Sequence, residues 1–319
     1  FSYNNPESID KILLDRIHRI KFKHLTIEEK IIITNKYLLP ELYSKMGING
    51  YINITDELIR FIINEYTYEA GVRNLKQHLF DIIGEINLNL LLDNFDKSLP
   101  YLISIDDIKN IYLKEKIPVR PTLIHKSNSV GIINGLWANS SGKGGIIQIE
   151  TNFFASNTLF ELKLTGSQGD VMKESMNVAK TLAWNSVDNE TKHLLMKRKD
   201  TSNQGIHIHC PEGSVPKDGP SAGTAITVAL FSLFTNKKIK HDFAITGEIS
   251  LQGNVTEIGG LDLKIIGGIQ GGVKSFIYPE KNNKEFKEFM EKYKDKDIIK
   301  DIKFYPVNTF DEVLKLILV

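Results

Sequence analysis

The run Ala222 to Phe234 constrains the fold of this chain more than any other stretch. It is apolar, small and free of proline, and it follows the loop punctuation of Gly219 and Pro220, as a buried helix would. The second half of the chain then reads as scaffolding around it. Ser221 stands at its head, and the pattern predicts this serine in the first helical turn. There unpaired N–H groups and the positive end of the helix dipole meet, a setting that can hold an oxyanion as well as carry a nucleophile. A hydroxyl in that position still needs a base.

A histidine backed by a carboxylate is one solution, and a lysine kept neutral by burial is another. Lys264 fits the second. It lies in Gly259-Gly260-Leu261-Asp262-Leu263-Lys264-Ile265-Ile266-Gly267-Gly268, which predicts a helix with Leu261, Ile265, Ile269 and Val273 on its apolar face. Gly267, Gly268 and Gly271 flank the lysine at i+3, i+4 and i+7. Three glycines waste helix propensity, so close approach of another backbone is the expected reason for them. Lowering a lysine from ~10.4 to ~7.5 costs about 4 kcal/mol, which only a well-packed site sustains. Taken singly, a serine after proline is most often a helix cap and a lysine among glycines is most often solvated.

Several motifs in order change that balance. The segment Gly213 to Thr224, the element Thr246-Gly247-Glu248 and the element Gly259-Gly260-Leu261 together resemble the Lon protease family, whose members are ATP-dependent Ser-Lys peptidases assembled as rings. The resemblance implies Ser221 as nucleophile and Lys264 as general base, with Thr246 hydrogen-bonded to the lysine. It also places His207 and His209 behind the pair, and Asp218 and Glu248 as neighbours that gate or polarise the site. It implies unfolded or damaged proteins as substrates, a homo-hexamer, and ATP with Mg²⁺ as cofactors of the full-length protein. One departure is the first protease strand, where Trp137 directly follows Leu136 in place of the usual Gly-Leu-Ala-Trp.

The same resemblance orders the first 117 residues. Residues 1–20 look like the end of an AAA+ nucleotide-binding core, with Asn5 as sensor 1 and Arg16 as an arginine finger. Residues 21–117 look like the small helical AAA+ domain, in which Tyr66 to Leu75 carries Arg73 as sensor 2. This domain is expected to be all-α, with helices over Thr26 to Leu39, Thr55 to Tyr66 and Val72 to Leu92, the first opened by the capping box Thr26-Ile27-Glu28-Glu29. Pro118-Val119-Arg120-Pro121 marks a linker.

Residues 118–319 alternate in the manner of strands and are expected to form an α+β peptidase domain. Strands are predicted over Val130 to Leu136, Gly145 to Glu150, Leu159 to Leu164 and Gln204 to Cys210, with a helix ending near Val187. Phe243 to Ser250 and Asn254 to Glu257 are expected to pair as a hairpin. Strands over Ser275 to Tyr278 and Ile302 to Pro306 follow, and a helix over Phe310 to Leu318 closes the chain. Lys281 to Lys300 is charge-rich, with a thin apolar stripe, and reads as a solvated helix face.

Other readings are weaker. Gly142-Lys143-Gly144-Gly145 lacks the second glycine and the Ser or Thr of a phosphate loop, and the sequence holds no Walker A or B motif. His207, His209 and Cys210 alternate along a strand, so one face offers two ligands at most, and no metal is expected. No Gly-x-Ser-x-Gly elbow supports a small-ester hydrolase. A catalytically idle scaffold of the same family is the remaining alternative. Forty basic against 39 acidic residues leave +1, which gives no bulk reason to expect nucleic acid or a membrane surface. One cysteine, Cys210, permits no internal disulfide, consistent with a reducing compartment such as cytoplasm or mitochondrial matrix. The opening on Phe1 rather than Met suggests a fragment or processed product.

Overall fold

The computed structural model describes residues 9–20, 25–67, 69–118, 121–139, 142–197, 204–211, 217–294 and 297–319. The chain divides into two compact units, 1–118 and 119–319.

The first unit begins with the short helix α1 (Lys11–Leu14), capped by Asp10 Oδ1, which accepts the N–H of Ile12 and of Leu13. Helix α2 (Ile27–Ile33) starts at the expected capping box: Glu29 N–H donates to Thr26 Oγ1, and Thr26 N–H donates back to the Glu29 carboxylate at 2.6 Å. The helix was expected to stop at Leu39, ahead of Pro40, but it runs on. A π-helical turn over Thr34–Leu38 resets the register, and α3 (Leu39–Met46) restarts with Pro40 in its first turn, where a missing N–H leaves no bond unmade. Helices α4 (Asp56–Tyr66) and α5 (Arg73–Leu91) supply the core through Leu58, Ile59, Ile62 and Ile63 and through Leu75, Leu79, Ile82, Ile83 and Ile86. These are helical spacings, and they hold the two helices together. The all-α expectation fails in one detail. Strands β1 (Ile52–Asn53) and β2 (Tyr101–Leu102) pair in parallel, tying the segment after α5 back beside α3 before α6 (Ile105–Asp107).

The second unit is built on seven strands: β3 (Ile132–Ala138), β4 (Gly144–Ala155), β5 (Leu162–Thr165), β6 (Gln204–His209), β7 (Phe243–Ile245), β10 (Ser275–Pro279) and β11 (Lys303–Val307). Their order is β11-β10-β7-β3-β4-β6-β5. Strand β4 runs antiparallel to both its neighbours, and the other pairings are parallel. It is twice the expected length because its first half pairs with β3 and its second half with β6. Helices α7 (Asp170–Ser186), α8 (Asn189–Lys197), α9 (Gly223–Thr235) and α12 (Phe310–Ile317) share one core with Ile133, Ile149, Ile208, Ile245 and Ile277. Helix α10 (Leu261–Gln270) packs on the opposite face, against Leu136, Ile146 and Phe276. The alternation along the strands thus sorts side chains between two helical layers.

Helix α9 is buried as the sequence predicts. Every residue from Gly223 to Ser232 is buried, and fully burying each large side chain such as Ile226 or Leu230 contributes about 1.5–3 kcal/mol. The expected long hairpin is corrected. The chain leaves the sheet after β7, and a separate pair, β8 (Glu248–Ile249) with β9 (Val255–Thr256), follows. The break lies at Thr246-Gly247, where the backbone turns to bond the head of α9: Gly247 N–H donates to Ser221 O at 2.8 Å and Thr224 N–H to Gly247 O at 3.0 Å. The charge-rich run carries α11 (Asn283–Tyr293), which is more than a solvated face, since Phe286 and Phe289 stack among Tyr278 and Phe304.

The glycines of α10 meet a neighbouring backbone, as their spacing predicts. A Cβ on Gly267 would lie 2.1 Å from the carbonyl of Gly144, and one on Gly144 would lie 2.1 Å from Leu263 O. The supposed phosphate-loop glycine is therefore the floor on which α10 rests. An asparagine turn leads into it, Asn139 Oδ1 accepting from Lys143 N–H at 3.1 Å.

Two alanine substitutions separate these effects. Gly267→Ala must push α10 off β4 and is expected to destabilise the second unit by about 1–3 kcal/mol or more. Gly84→Ala, in the middle of α5 with only Met46 Cε at 3.7 Å, is expected to stabilise the first unit by about 0.5–1 kcal/mol through helix propensity. Urea unfolding followed unit by unit reads both, and equal effects of the two changes would contradict the close backbone contact.

Candidate active site

Gly219 has φ 120°, a conformation that suits glycine, and it turns the chain into Pro220. Ser221 then sits in a 3₁₀ turn, Pro220–Ala222, one step before α9 and not in its first α-turn. The reason is local: the Ser221 carbonyl is taken by Gly247 N–H and, at 3.4 Å, by the Thr246 hydroxyl, so it does not begin the α-helical ladder. Asp218 is fixed beside it. Its Oδ1 accepts from Met172 N–H at 3.0 Å and from Gly219 N–H at 2.9 Å, which caps α7 with a carboxylate.

Lys264 comes from the first turns of α10 and is 3% exposed. Its Nζ donates to Thr246 Oγ1 at 3.0 Å. Thr246 is itself fully buried and held by its N–H on Ile277 O. Since the threonine hydroxyl hydrogen is directed to Ser221 O, the oxygen presents a lone pair to the lysine. A chain of bonds thus runs from the amine through Thr246 to the serine's own carbonyl. Burial pushes the amine down from 10.5 to about 8, with the carboxylate of Glu285 acting weakly in the other direction. Such a group is close to half neutral near pH 8, which gives it the proton affinity of a usable base.

Both Ser221 and Lys264 line one cavity of about 330 Å³ with Trp137, Ala138, Asp218, Pro220, Glu257, Ile258 and Gly259. Trp137 stands in its wall at the end of β3, with the indole N–H on Ile146 O at 3.2 Å. Glu257 and Ile258 escaped the sequence reading. They lie between two glycine-marked elements and carry no motif of their own.

Not every expected site residue gathers here. Glu248 opens β8 with its side chain exposed and is not among the residues lining the cavity. His207 and His209 share the hydroxyl of Thr165, at 2.9 and 2.7 Å, on the outer strands β5 and β6, and they do not line the cavity either. Burial, with Lys163 and His209 nearby, pushes the His207 ring down. Cys210 is buried on the other face, as strand alternation requires. Among the described residues no group of three or more His, Cys, Asp or Glu is placed to hold a metal, and no helix is long and apolar enough to cross a membrane.

In the first unit, Arg73 is exposed at the first position of α5. That helix is capped by Glu69, whose two carboxylate oxygens accept from Asn74 N–H and Leu75 N–H, both at 2.8 Å. Lys30, buried, holds the same loop by donating to Glu69 O at 2.6 Å. Arg16 is exposed just after α1. Asn5 lies outside the described residues.

Two family models match this chain. The Lon protease C-terminal proteolytic domain covers residues 104–319, and the Lon protease AAA+ ATPase lid domain covers residues 45–98. A Lon protease homolog of Acanthamoeba polyphaga mimivirus is 38% identical over 92% of this chain and 34% of its own length. The Lon protease of Campylobacter concisus is 34% identical over 99% of this chain and 40% of its own length. That of Buchnera aphidicola is 36% identical over 98% and 38% respectively. The chain therefore spans between a third and two fifths of the length of these relatives. With two matched regions that together cover most of the chain and with similarity running almost end to end, the chain belongs to the Lon protease family.

Proposed function

We propose that residues 118–319 form the proteolytic domain of an ATP-dependent serine endopeptidase, with Ser221 as nucleophile and Lys264 as general base. The observation that carries this is a lysine 3% exposed, brought down to about 8, on the same cavity as a serine at the head of a buried helix. In this reading the neutral Lys264 amine takes the Ser221 proton as Oγ attacks a peptide carbonyl. The resulting ammonium returns that proton to the leaving amine, and water then releases the acyl group by the same steps in reverse. Gly223 N–H and Thr224 N–H donate to Pro220 O and Gly247 O, and the donors proposed for the oxyanion are main-chain N–H groups of the loop and turn that carry Ser221. Thr246 orients the amine. Asp218 supports the site by fixing the loop before Ser221, and Glu248, His207 and His209 would act from outside the cavity.

Residues 21–117 are proposed as the small AAA+ domain and residues 1–20 as the end of the nucleotide-binding core. Arg73, Arg16 and Asn5 are the nucleotide-sensing candidates, and the phosphate loop and Mg²⁺ ligand would come from outside these 319 residues. Unfolded or damaged proteins are the proposed substrates, and a homo-hexamer the proposed assembly.

Ser221→Ala and Lys264→Met are each expected to reduce peptide hydrolysis by at least about 10³-fold, because nucleophile and base act as one unit. The parent rate should rise with pH through about 8 as the amine loses its proton. Near-parent turnover in either variant, or a rate flat from about pH 6 to 9, would sink the dyad.

Lys264→Met should move stability in the opposite direction to activity. The folded-state value of Lys264 lies below the unfolded one near 10.5, so the penalty is absent above 10.5 and complete once pH has fallen through about 8. Its size is about 3 kcal/mol. Lys264→Met is therefore expected to unfold at higher urea than the parent at pH 7, with the gap closing towards pH 10. A variant less stable than the parent at pH 7 would show that the amine is a structural anchor.

Nucleotide and assembly give a further pair of tests. The 319-residue chain should neither bind nor hydrolyse ATP appreciably, since Arg73 and Arg16 offer phosphate contacts without a cradle. Joined to an AAA+ core, it should gain an ATPase that Arg73→Ala and Arg16→Ala weaken. Light scattering over a concentration series should detect rings, probed first at the proposed size of six. ATP turnover by the chain itself, or a monomer at every concentration, would defeat the corresponding half.

A further inference from the structure

The head of α10 is short of a local cap. Gly260 occupies the capping position in a left-handed conformation, φ 69°, and neither it nor Gly259 has a side chain to meet the first N–H groups. The acceptor arrives from elsewhere. Glu285, in the first turn of α11, places Oε1 at 2.9 Å from Leu261 N–H, the first residue of α10. Its other oxygen accepts from Asn282 Nδ2 at 3.1 Å. Asn282 in turn takes hold of Ile258 from both sides, donating to Ile258 O at 2.7 Å and accepting from Ile258 N–H at 3.1 Å. Asn282 is buried, and α11 is anchored by the stacking of Phe286 on Tyr278, 4.8 Å between ring centres.

We propose that Asn282 and Glu285 are positioning residues for the proteolytic centre, one clamp from the head of α11 holding both the cavity wall at Ile258 and the first turn of the helix that carries Lys264. This rests on the reading of Lys264 as base. The clamp joins the two things a Ser-Lys site must keep in register. Ile258 lies on the side against which substrate would rest, and Leu261 begins the helix that sets the height of the amine.

The clamp is also electrostatic. Of the charges around the amine, Asp262 on the same helix is turned to Leu263 N–H, and Asp218 is committed to Met172 and Gly219. Glu257 shares the cavity, and Lys143 stands beside Gly144 where β4 meets α10. Glu285 is the carboxylate whose charge acts to raise Lys264 against the effect of burial. Its charge thus works against the effect of burial on the amine, while its bond to Leu261 N–H fixes the first turn of the helix that carries Lys264.

The two functions come apart in two variants of the chain, assayed with a fluorogenic peptide across pH and by the pH dependence of Lys264 labelling with an amine-reactive reagent in a Ser221→Ala background. Glu285→Gln keeps an oxygen for Leu261 N–H and loses the charge together with the acceptor for Asn282 Nδ2, so the rising limb of rate and of labelling should move to lower pH by at least about 0.3 unit. Asn282→Ala keeps the charge and releases Ile258, so KM should rise at least about fivefold while the limb stays within about 0.2 unit of the parent. Unfolding by urea checks that both variants fold, and labelling reports on the lysine even where turnover is lost. A parent limb near pH 8 that Glu285→Gln leaves in place, together with an unchanged KM in Asn282→Ala, overturns the clamp alone. A parent with no limb in rate or labelling overturns the base reading, and the clamp with it.

Discussion

The hydrogen bond from Lys264 to Thr246 joins the parts of the second unit that must agree for the site to exist. The lysine belongs to a helix on one face of the sheet, the threonine stands where β7 leaves the sheet, and the threonine's hydroxyl reaches back to the carbonyl of Ser221 at the head of the helix on the other face. Three layers converge on one buried hydroxyl. An amine without that partner would carry an unmatched donor in a dry interior, and an amine with free access to water would keep its proton at neutral pH. The arrangement satisfies the first demand while maintaining the second condition, dryness, that lowers the proton affinity.

That position depends on backbone contact rather than side-chain packing. Gly144 and Gly267 bring β4 and α10 together at a distance no other residue allows. The Thr246-Gly247 corner bonds directly to Ser221 and Thr224, which ties the end of β7 to the head of α9. Main-chain contacts of this sort have few degrees of freedom. They suit a site whose groups must hold their positions within a fraction of an ångström.

The two units place their polar groups by a common device, a carboxylate from outside the helix set against a helix head. Glu69 caps α5 beside Arg73, Asp218 caps α7 beside Ser221, and Glu285 caps α10 ahead of Lys264. In each case the cap fixes the main chain next to a residue proposed to act. The anion also neutralises the positive end of the helix, which stabilises it by about 0.3–1 kcal/mol at an exposed position.

Much of this was legible in the residues alone. The buried helix after Ser221, the helix carrying Lys264 and the need for glycines there are local patterns, readable because helical periodicity and loop punctuation are written in consecutive positions. The capping box at Thr26 is of the same kind. Tertiary structure decided what consecutive positions cannot encode. Pro40 did not end its helix because a π turn moved it to a new first turn, and the expected hairpin split because Gly247 found a better partner in the head of α9. The histidines went to Thr165 and the outer strands. Glu257, Ile258, Asn282 and Glu285 came to matter only when segments distant in the chain met. Sequence determines which groups are available and which local form each segment prefers. Proximity across a sheet, and the exclusion of water that lowers the proton affinity of a lysine, arise from packing between layers and exist only in the folded chain.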